Sequence, residues 1–580
     1  MTTSSSQHIQ SRFDWKALMW ALLFFWFFST ALQVVIVAAG ESGAIGLRDS
    51  LLYSSLWLIP ILLFPRFTKP IAAVIGIILW LTSVGAIAYY VIYGQEFSQS
   101  VLFVLFESNA GEASEFMSQY LSWHLVLVIL AYTAAAIFLW TRLRPVVLPN
   151  RWRYLAALAI FYSLLVHPFA MSMLKGNGIS HAKTRLLNRM EPAAPWQLVS
   201  GYYKYRAQLD DLQDQLQSNQ ALPPLKNLTD SSGNAPRTLV LIIGESTQRN
   251  RLSLYGYGRE TTPNLDALHK QDKNFTVFND VVTSRPYTIE ILEQALTFAD
   301  EKHPDLYLTQ PSLMNMMKQA GYKTFWITNQ QSMTKRNTML TVFSKQTDEQ
   351  FYMNQQRNQS ARQYDSDVLT PFEKVLKDPA PKKLIIVHLL GTHINYKYRY
   401  PETFDKFKGR DAAVPAGVSD DNLETYNSYD NAVLFNDHVV SSLIKDYKAT
   451  DPNGFLLYFS DHGEEVYDTP PHDIQGRNEE APTRHMYNIP FMVWTSPKWA
   501  TAHPRNFAPL VNRKYSSSEL IHTWSDLAGI KYDGWDPTRS LVNPLFAQVP
   551  RWIGNPEHQS KLHDYDLLPY GPVDTKAQSK

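Results

Sequence analysis

The chain has 580 residues, 54 Lys and Arg against 53 Asp and Glu, a formal net charge of +1, and no cysteine. That length exceeds what one core can organise and implies two or more domains, and at this charge no nucleic-acid partner is expected. Without cysteine, thiol chemistry and Cys-ligated zinc are excluded, so any metal has to rest on His, carboxylates or hydroxyls.

These averages conceal two unlike halves. Within the first 170 residues five apolar stretches run roughly over Ala17 to Ala39, Leu51 to Phe64, Ile71 to Tyr93, Leu125 to Trp140 and Tyr154 to Phe169. Three are long enough to span about 30 Å of hydrocarbon as helices, whereas the second and fourth are short unless flanking Tyr and Trp are counted. Five spans is the reading, with four the alternative. The first is not read as a signal peptide, because further spans follow it and no small-residue cleavage site is visible. Arg12, Lys16, Arg66, Lys69, Arg142, Arg144, Arg151 and Arg153 all fall on one side of such a bundle, while the loop Gly94 to Ser122 carries Glu96, Glu107, Glu112 and Glu115 with no Lys or Arg. The positive-inside rule puts the basic side in the cytoplasm, and five spans then leave everything after His167 outside it.

"WQLVSGYYKYRAQLDDLQDQLQSNQ", Trp196 to Gln220, reads as an amphipathic helix that starts in the membrane interface, or as a solvated linker helix. "ALPPLKNLTDSSGNAPR" follows without apolar period and marks a boundary near residue 235. The expected domains are a transmembrane domain over 1–170, an interfacial helix and linker over 171–236, and a catalytic domain over 237–580.

From Thr238 the runs "TLVLIIG", "YKTFWIT", "KKLIIVHLLG", "GFLLYFSDHG" and "IPFMVWT" have strand length and near-continuous apolar character, with helical patterns such as Pro311 to Ala320 and Tyr426 to Lys448 between them. This predicts an α/β domain whose largely parallel sheet is covered on both faces. In such sheets ligands sit beyond the carboxyl ends of the strands. Three strand ends deliver candidate ligands: Glu245 with Ser246, Thr392 with His393, and Asp461 with His462. Carboxylate and imidazole ligands suit Zn²⁺, and less well Mn²⁺ or Mg²⁺.

A nucleophile is sought in "NDVVTSRPYTIEILEQAL", read as a strand Asn279 to Val282, a turn, and a helix from about Ile289. Thr288 at that helix start is either an N-cap or a hydroxyl activated by the metal at an anion-favouring helix end, and Thr283 and Ser284 are also available. Lys335 contacts phosphate or is simply solvated. Asp430 and Asn431 read as a polar pair on a helix face, and His485 as a second metal ligand or a loop residue.

"IIGES", "SLYGYGRETTPNLDAL", "GTHINYKYRYP", "YDNAVLFNDHVVSSLI" and "FSDHGEE" together resemble the phosphoethanolamine transferases of Gram-negative bacteria, membrane-anchored members of the alkaline phosphatase superfamily. "YYVIYGQEFSQSVLFVLFES" and the absence of cysteine are most similar to the branch that decorates the heptose region of the lipopolysaccharide core. The resemblance implies a five-span α-helical membrane domain followed by a periplasmic α/β/α sandwich, in a multi-pass protein of the bacterial inner membrane expected to act as a monomer. It implies transfer of phosphoethanolamine from phosphatidylethanolamine, through a covalent threonine intermediate, to the core heptose region, releasing diacylglycerol. Transfer to lipid A or another glycan, a phosphatase- or sulfatase-type hydrolase, and a non-catalytic envelope scaffold are the competing readings.

Carried over residue by residue, the zinc ligands are Glu245, Thr288, Asp461 and His462, one tight site with a second left open. His393 and His472 hold the phosphate or that second zinc, and Glu112 and Ser108 bind the donor headgroup. Thr288 is reached by allowing a one-residue gap in "TSRPYT"; without it Tyr287 falls at the nucleophile position.

Overall fold

The computed structural model describes residues 14–39, 44–93, 101–102, 105–106, 121–174, 179–217, 222–330, 339–353 and 364–569. They fall into two compact units that meet in sequence at Arg206 and Ala207.

Among the described residues the first unit carries five helices long and apolar enough to cross a membrane: α1 Trp15–Ala39, α2 Ala44–Leu63, α3 Pro65–Ile92, α4 Trp123–Arg142 and α5 Asn150–Leu174. The stretches that look short as apolar runs belong to α2 and α4, which recruit polar flanks to reach 20 residues each, about 30 Å at 1.5 Å per residue. Ser122 starts α4 by accepting the Leu125 N–H at 3.2 Å. Phe24, Phe25 and Phe28 of α1 are buried against Ala72, Ile75 and Leu79 of α3 and Tyr132 and Ala136 of α4. Gly76 admits this packing, since a Cβ there would lie 2.7 Å from the Phe24 ring. Polar groups inside the apolar bundle pair across helices, Ser83 Oγ with Tyr132 OH at 2.8 Å and Trp80 Nε1 with Thr133 Oγ1 at 3.0 Å. Trp140 Nε1 donates to the Lys69 carbonyl at 3.2 Å, so the basic ends of α3 and α4 lie together, as the charge pattern requires. Helices α6 Ile179–Met190 and α7 Trp196–Gln217 follow.

The second unit is built on a seven-stranded sheet of β1 Arg237–Gly244, β2 Phe275–Phe278, β3 Lys323–Thr328, β4 Glu349–Tyr352, β5 Lys382–His388, β6 Phe455–Ser460 and β7 Phe491–Thr495. Their order is β2-β7-β6-β1-β5-β3-β4, and β7 alone runs against the rest. Alternation along β1 sends Leu239, Leu241 and Ile243 into one core and Val240 and Ile242 into the other, which is why the run lacks polar positions. The first core is closed by α8 Thr288–Ala295 and α11 Leu520–Ala528, the second by α9 Leu369–Leu376 and α10 Leu423–Ala449. The strand expected over Asn279 to Val282 is instead β2 plus a two-residue strand, Val281–Val282, paired with Tyr515–Ser516. Asn279 and Asp280 form the bend between them, so the chain leaves the main sheet before the turn.

Asp430 and Asn431 are fully buried on α10. Asp430 Oδ1 accepts from Arg251 Nε at 2.8 Å, and its Oδ2 accepts from Arg259 Nη1 at 2.7 Å and Tyr257 OH at 2.9 Å. Asn431 Oδ1 accepts the N–H groups of Lys406 and Phe407. The pair expected on a helix face is therefore an interior tie. It clamps the "YGYGRE" loop after β1 and the segment before α10 onto one helix.

Candidate active site

Strands β1, β5 and β6 run parallel and side by side, so the residues after each emerge at the same edge. Ser246 turns the chain after β1 at φ +58°, and its N–H then donates to Asp461 Oδ1 at 3.0 Å. Beyond β5, Gly391 at φ +53° passes so close to Glu245 that a Cβ would lie 2.6 Å from the Glu245 carbonyl oxygen. A glycine is required there on both counts.

Ligand atoms of Glu245, Asp461 and His462 lie within 4.8 Å of one another, all buried. Thr288 Oγ1 joins them, 2.7 Å from Asp461 Oδ2, 3.0 Å from Glu245 Oε2 and 3.4 Å from His462 Nε2. The hydroxyl is not a cap: helix α8 begins at Thr288 itself, and its N-cap, Tyr287, makes no side-chain cap bond. Thr283 Oγ1 donates to the Arg285 carbonyl within the turn and Ser284 Oγ to Gln294 Oε1 of α8, which commits both hydroxyls elsewhere. Of the hydroxyls considered in this segment, only that of Thr288 meets the carboxylates.

The His462 tautomer follows from its neighbours. The Gly463 carbonyl, 2.8 Å from Nδ1, accepts the ring proton, leaving a lone pair on Nε2. That lone pair faces Glu245 Oε1 and Asp461 Oδ2, each at 3.2 Å. Burial, and then the neighbouring Glu245 carboxylate, push the Asp461 carboxyl well above its usual range, while burial and Arg477 hold His462 below its ordinary value. Oxygen and nitrogen acceptors thus converge in a buried space, where the hydroxyls of Thr288 and Ser246 donate among them. A divalent cation satisfies such a donor set, and four O and N ligands fit zinc.

Two side chains that sequence reasoning missed complete the setting. Arg477 donates from Nη1 to His462 Nε2, and its Nε lies 3.3 Å from Glu464 Oε2. Gln330 Nε2 donates to Glu245 Oε2 at 3.1 Å and to the Leu389 carbonyl at 2.9 Å, which fixes the carboxylate's direction. Both sit in irregular loops, where no periodicity marks them.

The remaining expected residues are distributed as follows. His393 follows β5, its Nδ1 is buried without a partner among the described residues, and burial pushes the ring down to about 3, so it is neutral. His472 lies outside the cluster, its Nδ1 2.9 Å from the Tyr467 carbonyl. His485 Nδ1 pairs with Gln248 Oε1 at 2.8 Å and is not brought to the cluster. Glu465, next to the site in sequence, instead pins its own loop by accepting from Asp468 N, Thr469 N, Thr469 Oγ1 and Thr483 Oγ1. Lys335, Glu112 and Ser108 lie outside the described residues.

The Sulfatase family model matches residues 237–530, the span of this sheet and its site. Phosphoethanolamine transferase EptC of Escherichia coli strain RS218 is 69% identical over 569 residues, covering 98% of this chain and 99% of that protein. The chain belongs to the phosphoethanolamine transferase family. The crystal structure of the C-terminal periplasmic domain of E. coli EptC, in complex with Zn, superposes with a TM-score of 0.60 at 75% identity, covering 60% of this chain and 98% of that one. The integral membrane transferase EptA of Neisseria meningitidis shares the fold over 90% of this chain and 98% of its own, with a TM-score of 0.63 at 18% identity. The architecture expected from the sequence, a five-helix membrane domain ahead of an alkaline phosphatase-like α/β domain, is the one observed. As in that family, the α/β domain is membrane-anchored.

Proposed function

We propose that the chain transfers phosphoethanolamine from phosphatidylethanolamine to the heptose region of the lipopolysaccharide inner core, through a covalent intermediate on Thr288. The observation that carries this reading is the convergence of the Thr288 hydroxyl with Glu245, Asp461 and His462 in a chain 69% identical to a phosphoethanolamine transferase.

In the first half-reaction Thr288 Oγ1 attacks the donor phosphorus, forming an O–P bond as the bond to diacylglycerol oxygen breaks. Thr288 Oγ1 lies 2.7 Å from Asp461 Oδ2 and 3.0 Å from Glu245 Oε2; Asp461, the nearer, receives its proton and passes it to the departing diacylglycerol oxygen. Gln330 keeps Glu245 turned toward the same hydroxyl. Arg477 offers a guanidinium to the phosphoryl oxygens, and neutral His393 binds them by hydrogen bond. In the second half-reaction an acceptor hydroxyl oxygen attacks phosphorus as its proton passes to Asp461, the bond to Oγ1 breaks, and that proton returns to Thr288. Zinc held by Glu245, Thr288, Asp461 and His462 would lower the hydroxyl pKa and offset phosphoryl charge.

His472 and Lys335 complete the phosphate site in this account, and Glu112 and Ser108 of the periplasmic loop hold the ethanolamine end of the donor. The protein acts as a monomer in the inner membrane with this site in the periplasm, where a lipid donor and a lipid-linked acceptor share one plane. Mass spectra of core oligosaccharide from cells with and without the gene test the assignment. The account expects one phosphoethanolamine to disappear from the heptose-containing fragment; its disappearance from lipid A alone contradicts it.

A further inference from the structure

A cavity of about 630 Å³ opens between the loop that follows β5 and the first turns of α10, lined by Lys397, Tyr400, Glu402, Phe407, Glu424 and Asn427 among others. Its location follows from topology. Helix α10 leads into β6, which runs parallel to β1 and through it to β5, so the beginning of α10 lies at the carboxyl edge of the sheet, the edge from which Glu245, His393 and Asp461 emerge. One loop joins the two places. It carries His393 at its start and the cavity wall from Lys397 onward, and the buried Arg399 stiffens it by donating from Nε to the His393 carbonyl at 3.2 Å and from Nη2 to the Ile394 carbonyl at 2.7 Å.

The lining is rich in acceptors. Asn427 is 5% exposed, its Nδ2 donates to the Gly409 carbonyl at 3.0 Å, and its Oδ1 is buried with no partner among the described residues. An amide oxygen takes a hydrogen bond only from a donor, and leaving it unpaired in the interior is costly. The Glu402 carboxylate is exposed and accepts no hydrogen bond from among the described residues, whereas Glu424 is paired with Lys397 at 2.6 Å and Asp405 with Lys408 at 2.9 Å. Lysines thus offset two of the carboxylates. Ligand phosphate offers acceptor oxygens and negative charge, so this wall rejects it. A neutral ring bearing hydroxyl groups supplies the missing donors, and the Tyr400 and Phe407 rings offer apolar surface to its C–H face. The volume lies in the range of small-ligand sites.

We propose that this cavity seats a hydroxyl-bearing sugar ring of the acceptor glycan, next to the one that receives phosphoethanolamine; this rests on the transfer to a glycan argued above. The experiment uses the full chain in detergent, phosphatidylethanolamine as donor, and heptose-containing inner-core oligosaccharide as acceptor. Glu402→Ala and Asn427→Leu should each raise the acceptor KM about two- to tenfold, the effect of one lost hydrogen bond, with solvent exposure keeping the charged Glu402 in the same range as the neutral Asn427. Formation of the Thr288 adduct without acceptor should keep its wild-type rate in Glu402→Ala. An unchanged acceptor KM in that variant overturns the proposal. A raised donor KM with the acceptor KM unmoved would identify the ethanolamine ammonium as the occupant and equally overturn it. If wild-type enzyme modifies lipid A sugar and not the core oligosaccharide, the heptose assignment fails, and the same variants are then read against lipid A.

Discussion

Arg477 donates from Nη1 to His462 Nε2, the ring nitrogen that also faces Glu245 and Asp461 at 3.2 Å. In the proposed mechanism zinc takes the His462 Nε2 lone pair, which would leave the guanidinium to a substrate phosphate. Arg477→Gln should therefore destabilise the chelator-treated protein more than the zinc-loaded one. Removing one partner from a buried charge set costs about 3–5 kcal/mol. Thermal melts with and without chelator check this, and equal losses in both forms would count against it.

Zinc content provides a second test. Glu245→Ala, Asp461→Ala and His462→Ala each remove one of four converging ligand atoms and should leave little zinc after dialysis, measured by elemental analysis. Gln330→Ala touches only the carboxylate's orientation and should weaken zinc binding by about 10–100-fold, the usual effect of a lost outer hydrogen bond. Full zinc occupancy in Asp461→Ala would mean that the metal is held elsewhere.

Asp430 serves stability. Asp430→Asn leaves the guanidinium groups of Arg251 and Arg259 short of a counter-charge in the interior and should cost about 3–5 kcal/mol. The denaturation midpoint should fall while zinc affinity stays at the wild-type value. A change in zinc affinity without a loss of stability would assign the pair to the site.

The sheet and its active edge were legible because their signals are local. Near-continuous apolar runs announced strands buried on both faces, and chain order then brought Glu245, His393 and Asp461 to one edge. The "YGYGRE" and "YDN" segments were visible as motifs but their purpose was not, since a buried ion network joins residues about 170 positions apart in sequence, as Arg259 and Asp430 are. The strand near Val281 was misjudged by a bend that moves the chain to a separate two-stranded sheet. Arg477 and Gln330 gave no signal, because loop residues acquire their roles only from the contacts that the fold assembles.

Acid should weaken the fold through its buried histidines. Burial, and then Arg539, push His522 down to about 3, with Asp536 and Asp300 nearby and the Asp536 N–H donating to its Nδ1 at 3.2 Å. Burial likewise lowers His388 to about 4. The folded-state value lies below the unfolded one, so these rings contribute their full stability above about pH 6.5 and lose it as pH falls toward their folded values, at about 1.4 kcal/mol per pH unit for each. His522→Gln should flatten the slope of stability against pH between about 6.5 and 4. An unchanged slope would show that the ring is not neutral in the fold.

The most direct test of the account is peptide mass spectrometry of the full chain incubated with phosphatidylethanolamine in the absence of acceptor. The account predicts one phosphoethanolamine group on Thr288, discharged when core oligosaccharide is added and absent from Thr288→Ala, which retains its fold and loses transfer. An adduct on Thr283 or Ser284, or undiminished transfer by Thr288→Ala, would contradict it.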